Sequence, residues 1–110
     1  MRAETIEKAL KFRDDRDWKQ FHNPKDLAIS INLEAAELLE IFQWSGGDLE
    51  CRSRIQEIRE ELADILNYCI LIADAYQLDL DDIVQEKIQL NEKKYPVDKA
   101  YGNKDKYTQL

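Results

Sequence analysis

The chain has 110 residues, a formal net charge of -7 and a sequence pI of about 4.7. That length fits one domain, 1–110, with little room for a second, and the acidic balance argues against a nucleic-acid polymer or an anionic membrane as the main partner. Its two cysteines, Cys51 and Cys69, have no second Cys or His at ligand spacing, which sets aside a disulfide framework and a zinc site.

No apolar run approaches the roughly 18–20 residues of a membrane span. The start Met1-Arg2-Ala3-Glu4 has no apolar signal-peptide region, so a cytoplasmic protein is expected. The first predicted helix runs from about Thr5 to Lys19, with Ile6, Leu10 and Phe12 on its apolar side. Phe21-His22-Asn23-Pro24 is a break in which Asn23 can cap the next helix and Pro24 can occupy its first turn. That second helix reaches about Trp44 and stops at Ser45-Gly46-Gly47. Asp48 is the expected cap of a long third helix ending near Gln77. Asp79 caps a fourth, Leu80 to about Lys94, which Pro96 closes. Residues 97–110 form a polar tail without a clear period. Cys69, inside the apolar run Ile65 to Ala73, reads as a small buried hydrophobe.

Strand signals are weak, and four helices with short connections predict an all-α, antiparallel four-helix bundle. The second helix is apolar on more than one side (Leu27, Ile29, Ile31, Leu33, Leu38, Leu39), as is the middle of the third (Ile65, Leu66, Ile70, Leu71). Helices of that kind want burial all round, which one small chain does not easily provide. A homodimer or higher oligomer is therefore expected.

Carboxylates interrupt these apolar stripes. Leu27, Ile31, Leu38 and Ile41 surround Glu34 at helical spacing, and Glu37 projects beside it. Glu61 stands between Ile58 and Ile65, Asp64 follows one turn on, and Tyr68 one turn beyond that. A buried ionised carboxylate must be paired, bind a metal or take up a proton. Arg59 and Lys25 are the nearest basic residues by sequence, so a hard cation with all-oxygen ligands, Mg²⁺ or Mn²⁺, is the simpler remedy. The competing reading is a set of ordinary solvated helix charges. With 35% charged residues E-x-x-E arises by chance, and Glu37-Leu38-Leu39-Glu40 is a second match. A di-iron centre would need Glu-x-x-His pairs, and the only histidine, His22, lies in a loop; it reads as a loop or capping residue.

The words around these acids carry a resemblance. Arg16-Asp17-Trp18-Lys19-Gln20-Phe21-His22, the run Leu33 to Trp44, Glu60 to Tyr68, Lys94-Tyr95-Pro96 and Lys106-Tyr107-Thr108 together resemble the MazG-like nucleotide pyrophosphohydrolases, and among them the dCTP pyrophosphatase branch. The resemblance implies an all-α protein, assembled as a homodimer or dimer of dimers, that hydrolyses a nucleoside triphosphate to monophosphate and pyrophosphate in nucleotide-pool house-cleaning. It implies Mg²⁺ held by Glu34, Glu37, Glu61 and Asp64, with Mn²⁺ as a substitute. It places Trp18, Trp44 and Tyr68 around the base and sugar, and Lys87 and Asn91 toward the nucleotide. Ala9 departs from members that carry a histidine there, which leaves the base preference open.

In this reading Glu34 or Glu37 orients and deprotonates the attacking water, Lys87 steadies a phosphate, and Trp18 and Trp44 stack on a base. On residue type alone, core packing is favoured for both tryptophans, because Trp is highly buried on average. The rival functional class is a non-catalytic helical dimer acting as a nucleotide-binding or regulatory module.

Overall fold

Short-range signals set most helix ends in the computed structural model, which describes residues 1–110. Five α-helices and no strand are present: α1 (Ala3–Asp15), α2 (Pro24–Phe42), α3 (Ile55–Ala75), α4 (Leu80–Lys94) and α5 (Val97–Ala100). Single 3-10 turns occur at Lys19–Phe21, Arg52–Arg54 and Tyr107–Gln109. The chain divides into two compact units, Met1–Gln77 and Leu78–Leu110.

The expected caps of α2 and α4 form. Asn23 accepts a hydrogen bond from the Asp26 backbone N–H at 2.9 Å, and its amide donates to the Asp26 carboxylate at 2.7 Å. Pro24 fills the first helical position, where no backbone donor is needed. Asp79 accepts from the Asp82 N–H at 3.0 Å, and α4 has the bounds expected of it.

Elsewhere the boundaries move. The first helix stops at Asp15, before the expected Lys19. Asp17 turns left-handed (φ 55), the Asp17 N–H donates to the Asp14 carbonyl (3.0 Å) and the Trp18 N–H to the Arg13 carbonyl (3.1 Å). This is a Schellman terminus, and its usual hydrophobic contact is made by Trp18 against Phe12, with ring centroids 5.7 Å apart. Glycine normally marks such an end. Here an aspartate does, held by the Gln20 amide donating to its carboxylate at 2.8 Å.

Nor does Asp48 cap the third helix. Its carboxylate accepts from the Glu50 and Cys51 N–H groups (3.3 and 3.1 Å), Cys51 is left-handed (φ 46), and α3 begins only at Ile55. The loop is tied to α2 because its last carbonyls lack intrahelical partners: Arg54 Nη1 donates to the Ile41 carbonyl at 3.0 Å, and the buried Cys51 thiol lies 3.7 Å from the same oxygen. Cys51 is thus the buried cysteine, while Cys69, expected to be buried, is half-buried. The second helix ends at Phe42, which leaves Trp44 in the loop. The tail is irregular only in part, since it contains α5 and a 3-10 turn.

In the first unit α2 packs along α3, and α1 lies against α3. The apolar core is small: Leu27 and Ile41 from α2, Cys51, and Ile70, Leu71 and Ala73 from α3. Leu27 is the most deeply buried side chain, at 1% exposure, a burial worth about 1.5–3 kcal/mol. Ile29, Leu33 and Leu39 of α2 and Leu62 and Leu66 of α3 remain exposed. No helix is long and apolar enough to cross a membrane.

Removing the α2 cap tests this account. Asn23→Ala is expected to lower unfolding stability by about 1 kcal/mol, read as a lower urea midpoint with an unchanged m-value.

Candidate metal centre and adjoining cavity

Glu34 and Glu37 lie one turn apart on α2, and Glu61 and Asp64 one turn apart on α3, so packing the two helices brings both pairs together. One carboxylate oxygen from each of Glu34, Glu61 and Asp64 lies within 4.8 Å of the others. Glu37 is exposed and stands close enough to Glu34 and Glu61 to raise the pKa of both. Oε2 of Glu34 and Oε2 of Glu61 are buried and have no partner.

No basic residue compensates the four acids. The salt bridges within the first unit lie elsewhere: Lys8–Glu4, Lys11–Asp15, Arg13 with Asp14 and Asp74, Arg52–Glu50 and Arg54–Glu57. Neither Lys25 nor Arg59 reaches the cluster. Burial, reinforced by Glu37, Asp64 and Glu61, therefore raises the Glu34 pKa from 4.5 to about 7. Glu61 is raised too, chiefly by burial and next by Glu37. An all-oxygen donor set with two orphaned buried oxygens fits a hard divalent cation.

Beside the acids lies a cavity of about 520 Å³. From α1 it takes Thr5, Lys8, Ala9, Phe12 and Arg13; the turn after α1 adds Trp18 and His22. Across from them stand Glu34 of α2 and Asp64, Asn67, Tyr68 and Leu71 of α3. Four rings form a continuous row of edge-to-face contacts. Phe12 meets Trp18 (5.7 Å), Trp18 meets His22 (6.3 Å), and His22 meets Tyr68 (6.4 Å), one turn from Asp64. His22 Nδ1 is buried without a partner, and burial together with the Arg13 charge lowers the His22 pKa.

Of the residues singled out in the sequence, the fold gathers Glu34, Glu37, Glu61, Asp64, Trp18 and Tyr68. Core packing is not the role of either tryptophan within the chain: Trp18 is 43% exposed and Trp44 88%. Trp44 does not line the cavity. Lys87 and Asn91 lie one turn apart on α4, in the second unit, and both are exposed. Sequence reasoning missed His22, Asn67 and Arg13. His22 was hidden because a straight first helix carries Trp18 away from it, whereas the left-handed Asp17 and the following 3-10 turn fold both rings onto one wall. Asn67 was legible: it falls on the same helical face as Asp64 and Leu71.

An all-helical protein with facing acidic pairs on two adjacent helices, beside an aromatic cavity, defines the class. A model of the MazG-like family matches residues 29–110, and the chain belongs to that family. It is 36% identical to dCTP pyrophosphatase 1 of Bos taurus over 104 residues and 36% identical to that of Homo sapiens over 107 residues, covering 90% of this chain in each case. The chain spans only about three fifths of these relatives, 62% and 61% of their lengths. The crystal structure of a pyrophosphatase from Archaeoglobus fulgidus shares 42% identity and superposes with a TM-score of 0.80, covering 84% of this chain and 90% of that one.

The raised Glu34 pKa has a testable sign. Between pH 4.5 and about 7 the folded chain holds a proton on Glu34 that the unfolded chain has released, so stability falls as pH rises through that window. His22 acts in the opposite sense because its pKa is lowered. The Glu34 contribution is therefore the difference between wild type and Glu34→Gln. In chelator, melting scans from pH 4.5 to 8 should show wild type losing stability relative to Glu34→Gln as pH rises, and Mg²⁺ should restore wild type most at the alkaline end. Parallel curves would refute the assignment.

Proposed function

We propose that this chain is a Mg²⁺-dependent nucleoside triphosphate pyrophosphohydrolase, with dCTP or a related or modified dNTP preferred, that releases a monophosphate and pyrophosphate. The observation that carries the reading is the juxtaposition of unpaired carboxylates with the aromatic cavity: an anionic cluster that needs a cation adjoins a wall suited to a planar ring. Family membership and the pyrophosphatase relatives support it.

Glu34, Glu37, Glu61 and Asp64 would hold Mg²⁺, with Mn²⁺ able to replace it, and the ion would neutralise charge developing on the phosphates. Glu37 stands outside the closest triad of oxygens, which leaves its carboxylate available to orient the attacking water and take its proton; Glu34 is the second candidate for that task. Trp18 and Tyr68 contact base and sugar. His22, held neutral by its lowered pKa, can donate or accept a hydrogen bond at the base.

The resemblance extends the substrate assignment to Lys87 and Asn91 of α4 and to Trp44, which does not line the cavity. A homodimer or dimer of dimers would supply such groups from a second copy. The exposed apolar residues Ile29 and Leu33 of α2, and Leu62 and Leu66 of α3, each pair one turn apart, support self-association.

Pyrophosphate release from a panel of dNTPs with Mg²⁺ tests the reaction. Glu37→Gln and Asp64→Asn should each lower kcat about 100-fold or more. Activity untouched by both, or absent for every nucleotide, would sink the proposal. In sedimentation velocity the wild type should run as a dimer or larger and Leu66→Glu should shift it toward monomer.

A further inference from the structure

We propose that Arg13 is a positioning residue for the cavity: its ion pair with Asp74 holds α1, and with it Trp18, at a set distance from α3. The inference rests on the reading that this cavity receives the substrate. Arg13 is the only buried charged residue of the chain, at 5% exposure. Its Nη1 donates to Asp74 at 2.8 Å and its Nε to Asp14 at 2.8 Å. The bond to Asp74 is the one hydrogen bond that joins α1 to α3; the other side-chain bonds of α1, Lys8–Glu4 and Lys11–Asp15, stay within the helix or with its last residue.

Two parts of the cavity wall are tied to that ion pair. Thr5, Lys8, Ala9 and Phe12 travel with α1 itself. The Arg13 carbonyl also accepts from the Arg16 and Trp18 N–H groups (3.2 and 3.1 Å), so the same residue holds the turn that carries Trp18 and, through the ring row, His22. A buried guanidinium tolerates no half-made arrangement, because leaving it unpaired is strongly unfavourable. The wall is therefore pinned rather than loosely packed.

Asp74 lies ten residues beyond Asp64 on α3, about 15 Å along the helix axis. Asp74 is thus remote from the acids, and the pair acts on the cavity wall, of which Arg13 is itself a part. Contacts that a wall makes equally in ground and transition states appear in KM and leave kcat in place.

The experiment compares Arg13→Met, Asp74→Asn, the double variant and Arg13→Lys with wild type, at a temperature well below every melting point. KM is expected to rise about tenfold in each single variant with kcat within about twofold. The double variant should be no worse than the poorer single, because both remove one shared interaction. A purely structural role would lower the melting temperature without moving KM. If Arg13→Met does not fold, Arg13→Lys, which keeps the charge but cannot bridge Asp14 and Asp74 as a rigid fork, takes its place. Wild-type KM in the folded variants, additive effects, or a loss confined to kcat would overturn the proposal. Acrylamide quenching of Trp18, read in a Trp44→Phe background, separates this idea from the functional reading. Should the wild type cleave no nucleotide, increased quenching in Asp74→Asn still supports the clamp, and unchanged quenching refutes it.

Discussion

The cluster of like charges between α2 and α3 is the constraint on which the rest of the site depends. One carboxylate oxygen from each of Glu34, Glu61 and Asp64 lies within 4.8 Å of the others, and like charges at that range repel. Full ionisation of the cluster without compensation is unfavourable. The protein offers no cation of its own, so the acids take up a proton, as the raised Glu34 and Glu61 pKa values indicate, or they bind an ion. On the proposed reading the second alternative holds, and the acidic face is a ligand site.

The cavity is organised from the opposite direction, by backbone geometry. Ending α1 at Asp15 and turning left-handed at Asp17 folds Trp18 back on Phe12 and delivers His22 to Tyr68. One terminating motif thereby converts three sequence neighbours into a wall facing α3. The acids sit on regular helix, where spacing alone fixes their approach. The rings sit on a turn, where a single φ angle decides whether they face the cavity. On the proposed reading, chemistry would rest on the rigid elements and recognition on the shaped connection, as expected for sites built on a scaffold.

This division also explains what the sequence discloses. Glu34, Glu61 and Asp64 were legible because an acid at the centre of an apolar stripe contradicts the pattern around it, and periodicity exposes such contradictions. Asn23-Pro24 and Asp79 were legible because capping is local chemistry. The end of α1 was not, since the left-handed residue is an aspartate where glycine would have announced it. The start of α3 was not, because Asp48 satisfied the cap pattern yet spends its carboxylate on the Glu50 and Cys51 N–H groups. Arg13 was hidden for a different reason. Its partner Asp74 is 61 residues away, and no local rule links the two.

The small core bears on the same site. Six apolar residues are buried, while Ile29, Leu33, Leu62 and Leu66 stay exposed on the two helices that carry the acids. A chain of net charge -7 gains nothing electrostatically by meeting a second copy or an anionic nucleotide. If the chain self-associates as proposed, apolar surface would supply the attraction for the first encounter, because it does not depend on charge. For the second, the proposed reading requires the cation to accompany the phosphates, since the cluster repels a bare triphosphate and attracts a metal-bound one. Metal and nucleotide are then linked ligands, and each should strengthen the binding of the other by the same factor. On that reading, the absence of a salt bridge to Glu34, Glu37, Glu61 or Asp64 would make the coupling strong.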